Sequence, residues 1–91
     1  MMAKRGKLEI MKDVLGIIRD NHNSIKATPL LRKSNISSSR FKEYYADLLE
    51  KNLVREQLNK NDKYVILTEK GFRFLEKYKT IIAFIDEFEL D

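Results

Sequence analysis

The side chains able to do chemistry in this chain are cations and small hydroxyls. Arg32 and Lys33 stand together, Ser37-Ser38-Ser39-Arg40 leads into Lys42, Arg55, Lys60 and Lys63 follow in a polar tract, and Lys4 and Arg5 lie near the start. Short hydroxyls beside a helix start, with arginines and lysines around them, suit the oxygens of phosphate groups. Only Arg40 and Lys42 could make a strong contact to a guanine edge, and Glu43 and Asp47 beside them oppose the approach of a polyanion. This is chemistry of holding rather than of bond breaking. The chain has no cysteine and one histidine, and no glycine-rich phosphate loop or His/Ser/Asp set is visible. His22 falls among the turn formers Asp20-Asn21-His22-Asn23-Ser24 and reads as an exposed loop residue. A zinc site would need carboxylates alone to complete it. No metal, cofactor or small-molecule ligand is expected, and the protein does not read as an enzyme.

The elements that must carry these residues follow from periodicity and caps. Residues 8–20 read as a helix, with Leu8, Met11, Leu15 and Ile18 on one face and Ile10, Val14 and Ile17 on the next. That arc is wide enough to touch two neighbours, and Gly16 within it predicts a close approach by another backbone. Ile25-Lys26 reads as a short strand. Thr28 is the expected cap of a second helix with Pro29 at its first position, Leu30 and Leu31 on its buried side, and Ser34-Asn35 at its end. Ile36 plugs the turn. Ser37 caps a third helix running to Asn52, its inward stripe Phe41, Tyr44 or Tyr45, Leu48 and Leu49. Leu53–Leu58 and Lys63–Leu67 read as strands joined by the turn Asn59-Lys60-Asn61-Asp62. Thr68 and Glu69 then start a last helix. Helix, turn, helix, hairpin, helix is the order of a winged helix-turn-helix: mainly α, with a small β-hairpin wing and a long C-terminal helix. Residues 1–68 would form the winged domain and 69–91 a dimerisation helix.

Charge is unevenly spread. The 91 residues carry 18 Lys and Arg against 14 Asp and Glu, a net charge of +4. Four of those acids, Asp86, Glu87, Glu89 and Asp91, lie in the last six residues, so residues 1–85 hold 18 bases against 10 acids. A basic body suits a polyanion partner. No apolar run approaches membrane-spanning length, and no signal-peptide core follows Met1-Met2-Ala3-Lys4-Arg5-Gly6-Lys7. A cytoplasmic, nucleoid-associated location is expected, with no membrane partner.

Along the last helix Gly71, Phe74, Tyr78, Ile81, Ile85 and Phe88 recur at heptad spacing, with Leu75 and Ile82 widening the seam. A helix of roughly 22 residues would be about 33 Å long, more than a small domain can cover. Its bases Lys70, Arg73, Lys77 and Lys79 come first and its acids last, against the preference of the helix dipole. An antiparallel second copy would set basic halves against acidic ends, so a homodimer is expected through Phe74, Tyr78, Ile81, Ile82, Ile85 and Phe88.

Ala3-Lys4, Lys7-Leu8-Glu9-Ile10, Asn35-Ile36-Ser37, Tyr44, Leu48, Leu67-Thr68 and Lys70-Gly71, spread over nearly the whole chain, resemble the small archaeal winged-helix DNA-binding proteins of the ten-kilodalton chromatin-associated type. The resemblance implies a dimer through an antiparallel coiled coil of the last helix and duplex DNA binding with little sequence preference. The chain departs from that pattern in its acidic last six residues and in Ser38-Ser39-Arg40. The expected function is that of a dimeric double-stranded DNA-binding protein, a chromatin-type factor or transcription regulator that holds mainly phosphates. The competing expectation is a winged protein–protein interaction module that does not touch DNA, because fold does not fix function.

Overall fold

The computed structural model describes residues 6–90. Four helices and one hairpin follow in the order α1 (Lys7–Asp20), α2 (Ala27–Ser34), α3 (Ser38–Glu50), β1 (Val54–Asn59), β2 (Asp62–Leu67) and α4 (Glu69–Glu87). The core is the meeting point of one stripe from each. Ile10, Val14, Leu15 and Ile18 of α1, Leu30 of α2, Leu48 of α3, and Val54 and Val65 of the hairpin are all but fully buried. Each such aliphatic side chain contributes about 1.5–3 kcal/mol by leaving water. Leu8 does not join them. It stands 61% exposed at the start of α1, one turn short of the layer that α2 and the hairpin cover.

Helix α2 begins earlier than its sequence suggests. Ala27 is its first residue and Lys26 its cap, with no side-chain hydrogen bond, so Thr28 is not the cap. Pro29 still costs nothing there. The first backbone bond of the helix runs from the Leu30 N–H to the Lys26 carbonyl at 3.1 Å, and an N–H at Pro29 would have had no partner. Asn35 takes the left-handed conformation (φ 61°, ψ 40°) that ends α2, and Ile36 packs against the core as the plug of the turn. Ser37 caps α3, accepting from the Arg40 N–H. Asn52, at φ 63°, turns the chain into the hairpin.

The hairpin pairs in register from Val54↔Leu67 to Asn59↔Asp62. Its two-residue turn holds Lys60 (φ 51°) and Asn61 (φ 70°) in the left-handed region, the geometry whose twist matches that of the strands. The strand expected at Ile25-Lys26 shrinks to a single bridge between Ile25 and Val65. His22 and Asn23 both have positive φ. They bring the Asn23 Oδ1 to the Leu67 N–H, which donates to it at 2.9 Å and so locks the loop to the end of β2.

Helix α4 starts on a cap that works in both directions. The Thr68 hydroxyl donates to the Asn52 carbonyl at 2.7 Å and accepts from the Gly71 N–H at 3.1 Å. Gly71 sits directly on the Leu53 carbonyl, where a Cβ would lie 2.3 Å from the oxygen. The close approach expected at Gly16 occurs here instead; around Gly16 a Cβ would meet only the Arg19 guanidinium, at 3.8 Å. The helix also stops sooner than its heptad spacing implies. Phe88 caps it, Glu89 turns left-handed (φ 53°), and the Leu90 N–H reaches back to the Ile85 carbonyl, an arrangement that satisfies the last carbonyls. Asp86 and Glu87 therefore belong to α4, and Glu89 does not.

Candidate nucleic-acid interface

Helix α3 presents its N-terminal turn to solvent. Ser37, Ser38 and Ser39 are all exposed there, with the Ser37 and Ser39 hydroxyls 3.4 Å apart. Three hydroxyls and the free N–H groups of a helix start make a compact set of donors for an anionic oxygen. Behind them the inward stripe of Phe41 and Leu48 fixes the helix's rotation. At 3.6 residues per turn the outward midline is then Ser39, Glu43, Ala46 and Glu50, all exposed. Arg40 and Lys42 fall on opposite flanks of that line. Arg40 lies over the Tyr44 ring (5.8 Å) and donates to its hydroxyl at 3.3 Å. Lys42, on the α2 side, borders an apolar groove of about 360 Å³ with Thr28, Leu31, Phe41 and Tyr45.

Asp47 is less of an obstacle to a polyanion than its position in the sequence implies. Its carboxylate meets the Lys7 ammonium at 2.9 Å and that of Lys51 at 2.7 Å. The hydrogen bonds from Lys51 and Lys7 hold it below the ordinary carboxylate range, and the same bond raises the Lys7 ammonium above its own. The contact ties the first turn of α1 to α3.

At the end of α2 the two neighbouring cations diverge. Arg32 is exposed. Lys33 reaches back toward α1, 3.5 Å from the Asn21 Oδ1. On the hairpin, alternation separates the cations as well. Glu56, Leu58, Val65 and Lys63 share one face, while Arg55, Gln57, Ile66 and Tyr64 share the other. The first face looks toward α3, because the Tyr45 hydroxyl donates to the Glu56 carboxylate at 2.6 Å. So Lys63 overlooks the angle between the wing and α3, Arg55 lies on the face away from it, and Lys60 occupies the tip. Lys4 and Arg5 lie outside the described residues.

The wing is braced on both faces. On the α3 side, Tyr45 stacks on Phe41 (centroids 5.6 Å apart) and bonds to Glu56, which also stands 3.7 Å from Lys63. Burial first, and then the Glu56 carboxylate, push the Tyr45 phenol well above its ordinary range, so it stays a donor at physiological pH. On the other side Lys26, the cap of α2, reaches Asp62 at 3.4 Å and lies 5.8 Å from the Tyr64 ring centroid. Neither Lys26 nor Glu56 stands out by type or spacing, and their partners are remote in the chain, so no local signal marks them.

The seam residues of α4 divide into two groups. Phe74 packs against the core and stacks on Tyr78, which lies beneath the Lys12 ammonium. Ile85 is half-buried. Ile81 and Phe88 stand 56% and 54% exposed, and Ile82 is exposed beside them. Lys70, Arg73, Lys77 and Lys79 are all exposed on the first half, and of these Lys70 donates to the Lys51 carbonyl at 2.8 Å. Among the described residues no group of His, Cys, Asp and Glu could hold a metal ion, and no helix is long and apolar enough to cross a membrane.

A helix-turn-helix followed by a two-stranded wing, with cations about the second helix and the wing, is the fold of winged-helix DNA-binding proteins. The chain belongs to the winged helix-turn-helix family, whose model matches residues 4–86. It is similar in structure to Sso10a-2, a DNA-binding protein from Sulfolobus solfataricus, with a TM-score of 0.75 at 21% identity over 93% of this chain and 86% of that one. It is also similar to F93 from the virus STIV, a winged-helix DNA-binding protein, with a TM-score of 0.72 at 19% identity over 87% of this chain and 91% of that one. F-93 from the virus SSV1 gives 0.67 at 28% identity over the same shares of the two chains. No curated protein sequence matches the chain.

Proposed function

We propose that the protein is a homodimer that holds double-stranded DNA chiefly by its phosphates, with low sequence preference, as a chromatin-type factor or transcription regulator of the cytoplasmic nucleoid. The observation that carries this reading is the distribution of charge on α3. Hydroxyls and N–H groups crowd its first turn, Arg40 and Lys42 flank it, and Glu43 and Glu50 occupy the midline that would otherwise run along the bases. Such a helix docks by its end and its flanks, where the phosphates are. Lys60 and Lys63 on the wing and Arg32 beside the turn extend the same contact. The description of Sso10a-2 and of F93 as DNA-binding agrees with it.

The dimer is supported by the apolar surface left on α4. Ile81, Ile82, Phe84 and Phe88 are exposed together, on the half of the helix that the core does not cover. Cations precede them, and Asp86 and Glu87 lie toward their far end between Phe84 and Phe88, so two antiparallel copies would bring opposite charges together. Sedimentation should give a dimer at micromolar concentration and a monomer for Ile81→Asp; a wild-type monomer would refute the dimer.

DNA binding is tested by a salt titration with random and genomic duplexes, using protein of known oligomeric state. With five or six phosphates neutralised per protomer, log K falls against log salt with a slope of about −5. A thousandfold preference for one sequence would refute low specificity. The same midline acids favour one competing reading, a protein-interaction module, and absence of binding at low salt would decide for it.

A further inference from the structure

We infer that Leu58 is an apolar wedge that the wing sets into the minor groove of a bound duplex; the inference rests on the DNA-binding reading above. Among the described residues, the large exposed apolar side chains lie at the start of α1 and along α4 and its end, with one exception. Leu58 stands on the wing and is the most exposed of them, at 74%. Its cross-strand partner is Lys63, and the turn carrying Lys60 begins one residue beyond it. An isolated leucine on a surface needs no explanation by itself. This one lies on the same face as Glu56, two residues further out, so it overhangs the angle between wing and α3 on the side that Tyr45 marks as facing the recognition helix.

The charges around it select the occupant. Lys63 stands across the strands from the leucine and Lys60 follows two residues on in the turn, cations suited to the phosphates beside an apolar contact to sugars and base edges, while the one acid on that face, Glu56, is engaged by Tyr45 and lies 3.7 Å from Lys63. The wing is also stiff enough to drive such a contact. Tyr45 and Glu56 hold it on one face, Lys26 with Asp62 and Tyr64 on the other, and the tip is a tight two-residue turn. A side chain inserted from the minor groove partly unstacks a base step and kinks the duplex, so a rigid support is what such a contact requires.

The test compares wild type with Leu58→Ala and Lys63→Ala on short duplexes labelled at both ends, reading affinity, salt slope and end-to-end energy transfer. Wild type should bend the duplex. Leu58→Ala, whose melting should match wild type, should bind about tenfold more weakly, lose the bend and keep the salt slope. Lys63→Ala should keep the bend and lower the slope by about one. Equal affinity and equal bend for Leu58→Ala and wild type would overturn the wedge and leave the DNA reading standing. Dissociation of the dimer by Leu58→Ala would overturn it too, by placing the residue in a subunit contact. No binding by wild type would overturn the DNA reading and the wedge with it.

Discussion

The two helix glycines should respond to the same substitution with opposite signs. In an open helix position, Gly→Ala stabilises by about 0.5–1 kcal/mol, because alanine loses less backbone freedom on folding. Gly16 in α1 is such a position: its Cβ would meet only the tip of the Arg19 side chain, at 3.8 Å. Gly71 in α4 is not, since its Cβ would lie 2.3 Å from the Leu53 carbonyl oxygen. That oxygen cannot easily retreat. It accepts from the Thr68 N–H at 3.1 Å, and the Leu53 N–H is itself bound to the Leu48 carbonyl at 2.9 Å. Relief must therefore come from tilting α4 or shifting the base of the wing, which costs about 1–3 kcal/mol on the scale of overpacked cores. Gly71→Ala should lower stability despite the gain in helix propensity, and Gly16→Ala should raise it. In a domain of this size each kcal/mol moves the melting temperature by about 4–8 °C. Urea unfolding of both variants at one protomer concentration reads the difference directly. A Gly71→Ala variant as stable as wild type would refute the seating of α4 on Leu53.

Three further outcomes follow from the interface. Tyr45→Phe keeps the ring on Phe41 but removes the donor to Glu56; it should cost about 1 kcal/mol in unfolding experiments and weaken DNA binding more than that loss of fold explains, as the wing loosens. Asp47→Asn should remove an acid-sensitive part of stability: the depressed Asp47 carboxyl stabilises the fold above the ordinary carboxylate range, and that stabilisation disappears as pH falls through the folded value. The gap between wild type and Asp47→Asn in melting temperature should therefore be open near neutral pH and close on acidification below about pH 4. Glu43→Gln should strengthen duplex binding about threefold at low salt, since one charge on the α3 midline no longer repels phosphates, and the gain should shrink as salt screens it.

Much of this fold could be read along the chain because its elements are marked by residues acting locally. Ser37 and Thr68 cap the helices that follow them, Asn35 and Asn52 take the left-handed conformations their type tolerates, and Asn59-Lys60-Asn61-Asp62 closes a hairpin. The errors share a cause. Thr28 reads as a cap, but Lys26 takes that place, and its side chain reaches Asp62 and Tyr64 on the wing, a contact no local pattern reveals. Gly16 and Gly71 are both helical glycines, and only the fold brings a carbonyl to one of them. The candidate interface was legible as a set of residue types but not as a surface. Lys33 and Arg55 count as basic residues beside a turn and on a wing, yet one reaches back to Asn21 and the other lies on the face away from α3. Strand alternation could have separated Arg55 from Lys63 once the register was known; nothing in the sequence sets Lys33's direction.

The placement of α4 bears on how a dimer would use its two heads. Gly71 and Leu75 are buried in the core, Phe74 packs on it, and Lys70 holds the Lys51 carbonyl at the end of α3. The first turns of α4 are therefore part of the winged head, and the exposed half inherits its direction without a hinge: no glycine or proline interrupts the helix after Gly71. In the proposed dimer the angle between the two recognition helices is then set by how the exposed halves pack, through Ile81, Ile85 and Phe88, and not by a flexible linker. A rigid pair presents its heads at one spacing. It engages one duplex if that spacing matches a helical turn of DNA and bridges two if it does not. In the proposed mode, with contacts to phosphates rather than bases, it is this geometry of α4, more than the side chains of α3, that would decide which architecture of DNA the protein selects.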